Sequence, residues 1–484
     1  MHAVRKPPAR RCRRPVRPAH AFGPVRPVRP GRFGFTARVA AGVAALALAL
    51  GATACSSGGA GSAGLDGPGG PGGSGAEGPP QVPPVRQLIG DGSTADTGPQ
   101  PRQPDFRRLR PGEQPPQFVV FSWDGAVQDD RHLMSYIREF GERDGAAMTY
   151  FVSGTSLLPA GRQDLYAAPR HPRGTSDTGL PADRGVVADT VREMRLAWAD
   201  GSEIGTNFNA HFCGADGGAA DAAGDAAGDS GGSAASGDST GTADSADSAS
   251  GTWTADEWAG EIRQARDFTQ QWKTDTGLTG LDPLPFDYAK GVVGGRPPCL
   301  SDPAGLPAAA KAAGFRYLAD PTAQPQVWPS QVDGLWHFPE QEVPVPGRDV
   351  ETPASDQGFL SVQSGTPATG AQDPEQNAAW SRQMHDGLIA GFQRAYDGNR
   401  APLVVAGHLE SWNGSAYLKA VEDTVREVCG KPDVRCVSFK QLADWLDLQD
   451  PQVLDRLRAL DVGAAPKGGW PALMRATPVT PDGQ

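Results

Sequence analysis

Acidic residues are missing from the first 38 positions, which carry eleven Lys and Arg, and aromatic residues are scarce throughout at 7%. No apolar run is long enough to cross a bilayer as a finished helix: the longest, Val39 to Leu50, is about half of the ~20 residues required. Two stretches lack almost every core-forming side chain. Residues 56 to about 115 are rich in Gly, Pro and Ser, and Gly214 to Gly251 consist almost wholly of Gly, Ala, Asp, Ser and Thr. Neither composition supports a packed fold. The second stretch has Asp residues but no calcium-ligand spacing. Cysteine is sparse, six in 484 residues, and none has zinc-finger spacing. Setting the basic front aside shifts the formal charge from −11 to −22 (34 basic residues against 56 acidic). A body that acidic repels phosphate backbones, so nucleic acid is disfavoured as a partner.

What is present begins with a targeting pattern. The Arg-rich front, the short apolar run and then Gly51-Ala52-Thr53-Ala54-Cys55-Ser56-Ser57 have the layout of a secretory signal. Small residues ending at a Cys resemble a bacterial lipobox, with Ala52 where Leu is usual. The resemblance implies that residues 1–54 are removed, that Cys55 is lipidated, and that the rest sits outside the cytoplasm, lipid-anchored to the outer face of the membrane. A plain signal cut after Ala54 is the alternative. Residues 55–115 then read as a flexible tether. Cys213, Cys299, Cys429 and Cys436 remain, and four cysteines allow three pairings. Gly430 and Pro432 favour a turn that would bring Cys429 to Cys436, and Cys213 with Cys299 would follow.

The foldable part, residues 116–447 with the low-complexity insertion at 214–251, alternates strand and helix signals; 448–484 read as a tail. Phe118 to Ser122, Met148 to Val152, Phe315 to Leu318 and Leu403 to Ala406 are short apolar runs fit for buried strands. Helical spacing covers Val187 to Ala199, Pro307 to Ala313 and Ser415 to Val428. Thr254-Ala255-Asp256-Glu257 is a capping box ahead of a helix whose face carries Trp258, Ile262, Ala265 and Trp272, and Ser438 caps a helix running to Leu446. Repeated βα units argue for a parallel sheet, open or closed into a barrel.

Four stretches, in order, resemble the polysaccharide deacetylase (NodB-homology) family. They are Phe121-Ser122-Trp123-Asp124-Gly125; Glu203-Ile204-Gly205-Thr206-Asn207 with His211 four positions on; Arg296-Pro297-Pro298; and Asn399-Arg400-Ala401-Pro402 through Gly407-His408 to Trp412. The last stretch, with Gly334-Leu335-Trp336-His337-Phe338-Pro339, looks most like the extracellular chitin-deacetylase branch. The resemblance implies an irregular α/β barrel of the (β/α) type, residues of the site on its C-terminal rim, and hydrolysis of N- or O-acetyl groups on an envelope or chitin-like glycan. It also implies a divalent metal, Zn2+ or a harder ion, held by Asp124, His211 and the residue at Asn207, with His408 as general acid and Arg296 beside the base.

Two positions depart from that pattern. Asn207 stands where the family has its first metal histidine, and an amide oxygen is the weaker ligand for zinc. Trp123 stands at the base aspartate, and an indole cannot take a proton from water. Losing a general base costs about 10²–10⁴-fold in rate. Trp123 and Trp412 become candidate sugar-stacking surfaces, while His337 and His385 have no motif support. Three functions stay open: an impaired metal-dependent deacetylase acting on an acylated cell-wall polymer, a non-catalytic glycan-binding descendant, and an envelope scaffold protein.

Overall fold

The eight residues Gln117–Asp124 (β3) alternate between two hydrophobic environments, and this alternation organises the site. Val119, Phe121 and Trp123 enter the layer between sheet and helices, whereas Phe118 and Val120 enter a second apolar cluster, in the interior of the sheet's curve. With a side-chain period of two, Ser122 and Asp124 belong to that interior face. A strand buried on both sides is what a parallel sheet covered by helices demands.

The computed structural model describes residues 81–178, 183–209, 211–213, 249–299, 303–320, 322–367 and 373–475. The signal segment, Cys55 and most of the low-complexity insertion lie outside them. In chain order the strands are β1 (Gln87–Ile89), β2 (Thr94–Asp96), β3, β4 (Thr149–Val152), β5 (Glu203–Thr206), β6 (Gly294–Gly295), β7 (Tyr317–Leu318), β8 (Ser330–Val332), β9 (Leu335–His337), β10 (Glu342–Pro344), β11 (Glu351–Pro353), β12 (Leu403–His408) and β13 (Val434–Cys436). The main sheet runs β12-β3-β4-β5-β6-β7-β9-β8, parallel except for the β8–β9 hairpin, and β13 pairs with the first half of β3. Between β9 and β12 the wall is completed by irregular chain. Ser355 bridges Ala406, the Ala354 N–H donates to Gln341 O (2.8 Å), and Gln341 bridges Gln324. This is the irregular (β/α) barrel.

The helices are α1 (Leu133–Asp144), α2 (Arg184–Ala199), α3 (Ala255–Thr276), α4 (Tyr288–Gly291), α5 (Leu306–Ala312), α6 (Asp356–Gln363), α7 (Pro374–Asp397), α8 (Trp412–Val428), α9 (Phe439–Leu448), α10 (Pro451–Arg458) and α11 (Trp470–Leu473). Reciprocal capping boxes start α3 at Thr254 and α9 at Ser438, as their sequences demand. No described helix is long and apolar enough to cross a membrane. Both disulfides, Cys213–Cys299 and Cys429–Cys436, are present. The first fixes the segment carrying His211 to the segment just after Arg296.

Two features fall outside the boundaries read from the sequence. The β1–β2 hairpin lies within the stretch expected as a tether, where Ser93 O accepts from the Trp272 indole (2.8 Å) and Ser93 Oγ accepts from the Lys273 N–H (2.9 Å). Past residue 447, α10 packs Leu454 and Leu457 onto the interior cluster.

Gly294 is where the barrel wall comes closest to its own filling: a Cβ there would lie 2.2 Å from the Tyr317 ring. That ring cannot swing away freely, because its hydroxyl donates to the buried Glu203 carboxylate at 2.8 Å. Gly294→Ala should therefore lower stability by about 1–3 kcal/mol through overpacking. Urea unfolding should show a lower midpoint with an unchanged slope, and an unchanged midpoint would mean that the ring yields.

Candidate active site

The parallel strands end on one rim, and their last residues supply the charged groups. Asp124 closes β3 and His408 closes β12; the two are direct partners in the register and share the interior face. Asn207 follows β5 and Arg296 follows β6, whose strands pair at Thr206 and Gly295.

Arg296 joins them. Its guanidinium donates from Nη1 to Asp124 Oδ1 (2.9 Å) and from Nη2 to Ser122 Oγ (2.9 Å). It lies over the rings of Phe151 (5.0 Å) and Phe439 (5.9 Å), so it caps the apolar filling of the barrel. Its side chain is 3% exposed and that of Asp124 14%. At such burial, the charge of Asp124 needs a partner, and this pair satisfies both ions. The Arg296 Nε–H is buried without a hydrogen-bond partner. Asn207 locks the assembly from behind: its Oδ1 accepts from the Gly125 N–H (3.1 Å) and its Nδ2 donates to Arg296 O (3.0 Å).

The donor set expected for a metal was Asp124, His211 and Asn207. Both polar ends of the Asn207 amide are engaged by backbone, and Asp124 faces a guanidinium. No group of three or more His, Cys, Asp or Glu side chains able to hold an ion occurs among the described residues. His211 sits half-buried beside Cys213, on a short described segment. With both ends of its amide bonded to backbone, Asn207 is not placed to serve as a ligand, which leaves Asp124 and His211 of the three expected.

His408 is held differently. Its backbone N–H donates to Asp356 Oδ2 (2.7 Å), and its Nδ1 lies 3.0 Å from Asp356 Oδ1. Asp356, the first residue of α6, is buried, and its carboxylate fixes the ring with Nδ1 as the donor side. Nε2 is thereby left as the atom able to hold or pass on a proton. Trp412 packs its ring 5.2 Å from the imidazole and is 6% exposed, so it walls the site and offers no open stacking face. Trp123 faces away altogether. It is 2% exposed, its indole N–H points to Met148 Sδ (3.2 Å), and its ring meets Phe140 edge-on.

Three carboxylates at or below the rim were not singled out from the sequence. Asp356 is one. Glu340, directly after the Trp336–Pro339 stretch, is buried, and its carboxyl is pushed up to about 7: burial raises it and Asp124 adds to this, against the pull of Arg296, Ser355 and His408. The carboxyl of Glu410 is also raised by burial, opposed by its ion pair with Arg131. The order "buried strand end, then an acidic residue" was the available signal for Glu340. Glu203, by contrast, is at the far end of β5 and is structural, accepting from Tyr317, Thr149 and the Lys440 N–H.

No family model matches the sequence, and no curated protein matches it. Among solved structures the chain is similar to a putative polysaccharide deacetylase from Mycobacterium smegmatis at 13% identity, covering 70% of this chain and 94% of that one, with a TM-score of 0.35. It is similar to a probable polysaccharide deacetylase from Pseudomonas aeruginosa PAO1 (13%, 74% and 97%, 0.33). A third is the chitin deacetylase of the fungal pathogen Colletotrichum lindemuthianum (13%, 66% and 87%, 0.30).

Trp123→Asp would place a carboxylate among Met148 and Phe140, not on the rim. It should cost about 3–5 kcal/mol of stability and give no gain in acetate release, alone or with Asn207→His; a gain would mean that β3 can rotate residue 123 into the site. Glu340 gives a pH signature. Its folded pKa lies above the ordinary 4.5, so its favourable contribution is complete below about 4.5 and is lost as pH rises through about 7. The full swing is roughly 3 kcal/mol. Glu340→Gln should flatten the fall in melting temperature between pH 5 and 8, and an identical slope in both proteins would refute the assignment.

Proposed function

We propose that this chain binds an acylated sugar polymer of the cell envelope at the C-terminal rim of its barrel, as a deacetylase-like protein impaired in amide hydrolysis. One observation carries the reading: His408 keeps its carboxylate-oriented imidazole, while the Asp124 carboxylate is paired with Arg296. The ordered motifs that resemble polysaccharide deacetylases support the glycan, and the lipobox-like Cys55 supports an anchor at the outer face of the membrane.

Hydrolysing an acetamide needs a polarised carbonyl, an activated water and a proton for the departing nitrogen. His408 can supply the proton from Nε2, with Asp356 stabilising the charged ring. With an indole at residue 123 turned into the core, no carboxylate occupies the position of the base. Water activation is therefore the missing function, and binding outlives it.

Isothermal titration with N-acetylglucosamine oligomers, acetylated xylan fragments and peptidoglycan fragments should show binding to at least one, unaffected by a chelator, with acetate release near background. Rapid release abolished by the chelator would restore the metal-dependent deacetylase. Absence of binding to all of them would favour the scaffold reading.

A further inference from the structure

Arg382, on α7, is exposed and forms no ion pair among the described residues. It lines a groove of about 920 Å3, where the starts of α1 and α8 face the N-terminal half of α7. Ligand sites have about this size, roughly 300–1,000 Å3. The other ionisable groups along the groove already have partners. Arg131 donates to Glu410 Oε2 (2.6 Å) and Asp129 Oδ2 (2.7 Å). Lys419 pairs with Asp423 (2.5 Å), which also takes Arg426 (2.9 Å). His132 Nδ1 accepts from the Gln128 side-chain amide (3.0 Å), whose orientation is set by Gln128 Oε1 accepting the Ser135 N–H (3.0 Å). The chain as a whole is acidic, with a formal charge of −11, yet no carboxylate in this groove answers Arg382. A guanidinium left over beside a cavity is a site for an anion.

The floor of the groove is aliphatic. Leu133, Ala416 and Leu418 form it, 8%, 4% and 6% exposed, and none has a side chain that can hydrogen-bond. Its walls are built in advance. The Tyr136 ring, 42% exposed, is fixed by its hydroxyl, which donates to Glu422 Oε2 (2.5 Å). Gly414 and Ser415 belong to a turn in which they and Asn413 all have left-handed backbone (φ 66°, 62° and 49°). The Asn413 amide pins that turn by donating to Tyr417 Oη (2.9 Å) and Ser364 Oγ (3.0 Å). A polyol laid on this floor would leave hydroxyls unpaired, and a small inorganic anion would leave the apolar surface wet. A run of methylene groups ending in a carboxylate answers both the floor and the cation.

We propose that this groove binds a medium-chain fatty acid, with the carboxylate on Arg382 and the alkyl chain along the floor of Leu133, Ala416 and Leu418. The inference is independent of the glycan reading of the rim. It is tested by calorimetric titration of butyrate, octanoate, dodecanoate and the uncharged dodecyldimethylamine oxide, each below micelle formation, into the full chain. The same titrations are made on Arg382→Gln and Ala378→Trp. Both positions are exposed and line the groove, so neither change enters the core, and melting temperatures should stay within a degree or two of wild type. Wild type should bind one dodecanoate, about tenfold more tightly than octanoate, because the added methylenes gain apolar contact. Arg382→Gln should weaken dodecanoate by about fivefold and leave the amine oxide unchanged, as expected for one partly exposed charge pair. Ala378→Trp, which fills the groove, should weaken both by about tenfold. Butyrate binding as tightly as dodecanoate would reduce the groove to an anion site and overturn the proposal. So would amine oxide binding that matches dodecanoate, dodecanoate binding untouched in both variants, or no dodecanoate binding at all.

Discussion

The guanidinium of Arg296 is the constraint on which the rim depends. It caps the aromatic filling of the barrel and donates to Ser122 and Asp124 on the interior face, while the backbone carbonyl of Arg296 accepts from Asn207. A fixed cation on Asp124 sets the chemistry of everything around it. Burial raises the carboxyl of Glu340 and the neighbouring Asp124 adds to this, against the pull of the same guanidinium. His408, one strand away, draws its orientation from a different carboxylate, Asp356. The acid side and the Asp124 side of the rim thus have separate partners, Asp356 and Arg296, with Glu340 within reach of both.

Such a division would let the proposed glycan groove keep recognition without turnover. His408, the proposed proton donor, is positioned by α6 and the irregular wall between β9 and β12, whereas a water-activating part would have to be built on β3 and β5. On those strands the altered positions, 123 and 207, have been absorbed into structure: Trp123 into the helix-facing core and Asn207 into the backbone network. Neither is a bare deletion of function, because each side chain now makes contacts that its replacement would break.

Much of the frame was legible in the sequence because short apolar runs and capping boxes are local signals. Thr254 and Ser438 cap where their spacing says, and the strands at 118–122, 148–152 and 403–406 appear within a residue or two. The rim positions of Asp124, Arg296 and His408 followed from motifs at strand ends. The direction of Trp123 did not, because motif position names a residue without stating which face of the strand it takes; the alternation of Phe118 to Trp123 held that information. Asp356 and Glu340 escaped because they belong to the irregular wall, where neither period of two nor period of 3.6 marks a residue as inward. The hairpin at 87–96 escaped for a compositional reason: its anchoring is by Ser93 and backbone, inside a stretch poor in apolar side chains.

The most direct measurement is a titration of Zn2+ and Co2+ into the chelator-treated wild-type protein and into Asp124→Asn, followed by calorimetry and by the visible absorption of bound Co2+. With Asp124 held by Arg296 and Asn207 engaged by backbone, the two proteins should behave alike, with no saturable equivalent that depends on Asp124. One equivalent bound by wild type and lost in Asp124→Asn would contradict the pairing of Asp124 with Arg296 as the resting state of the site.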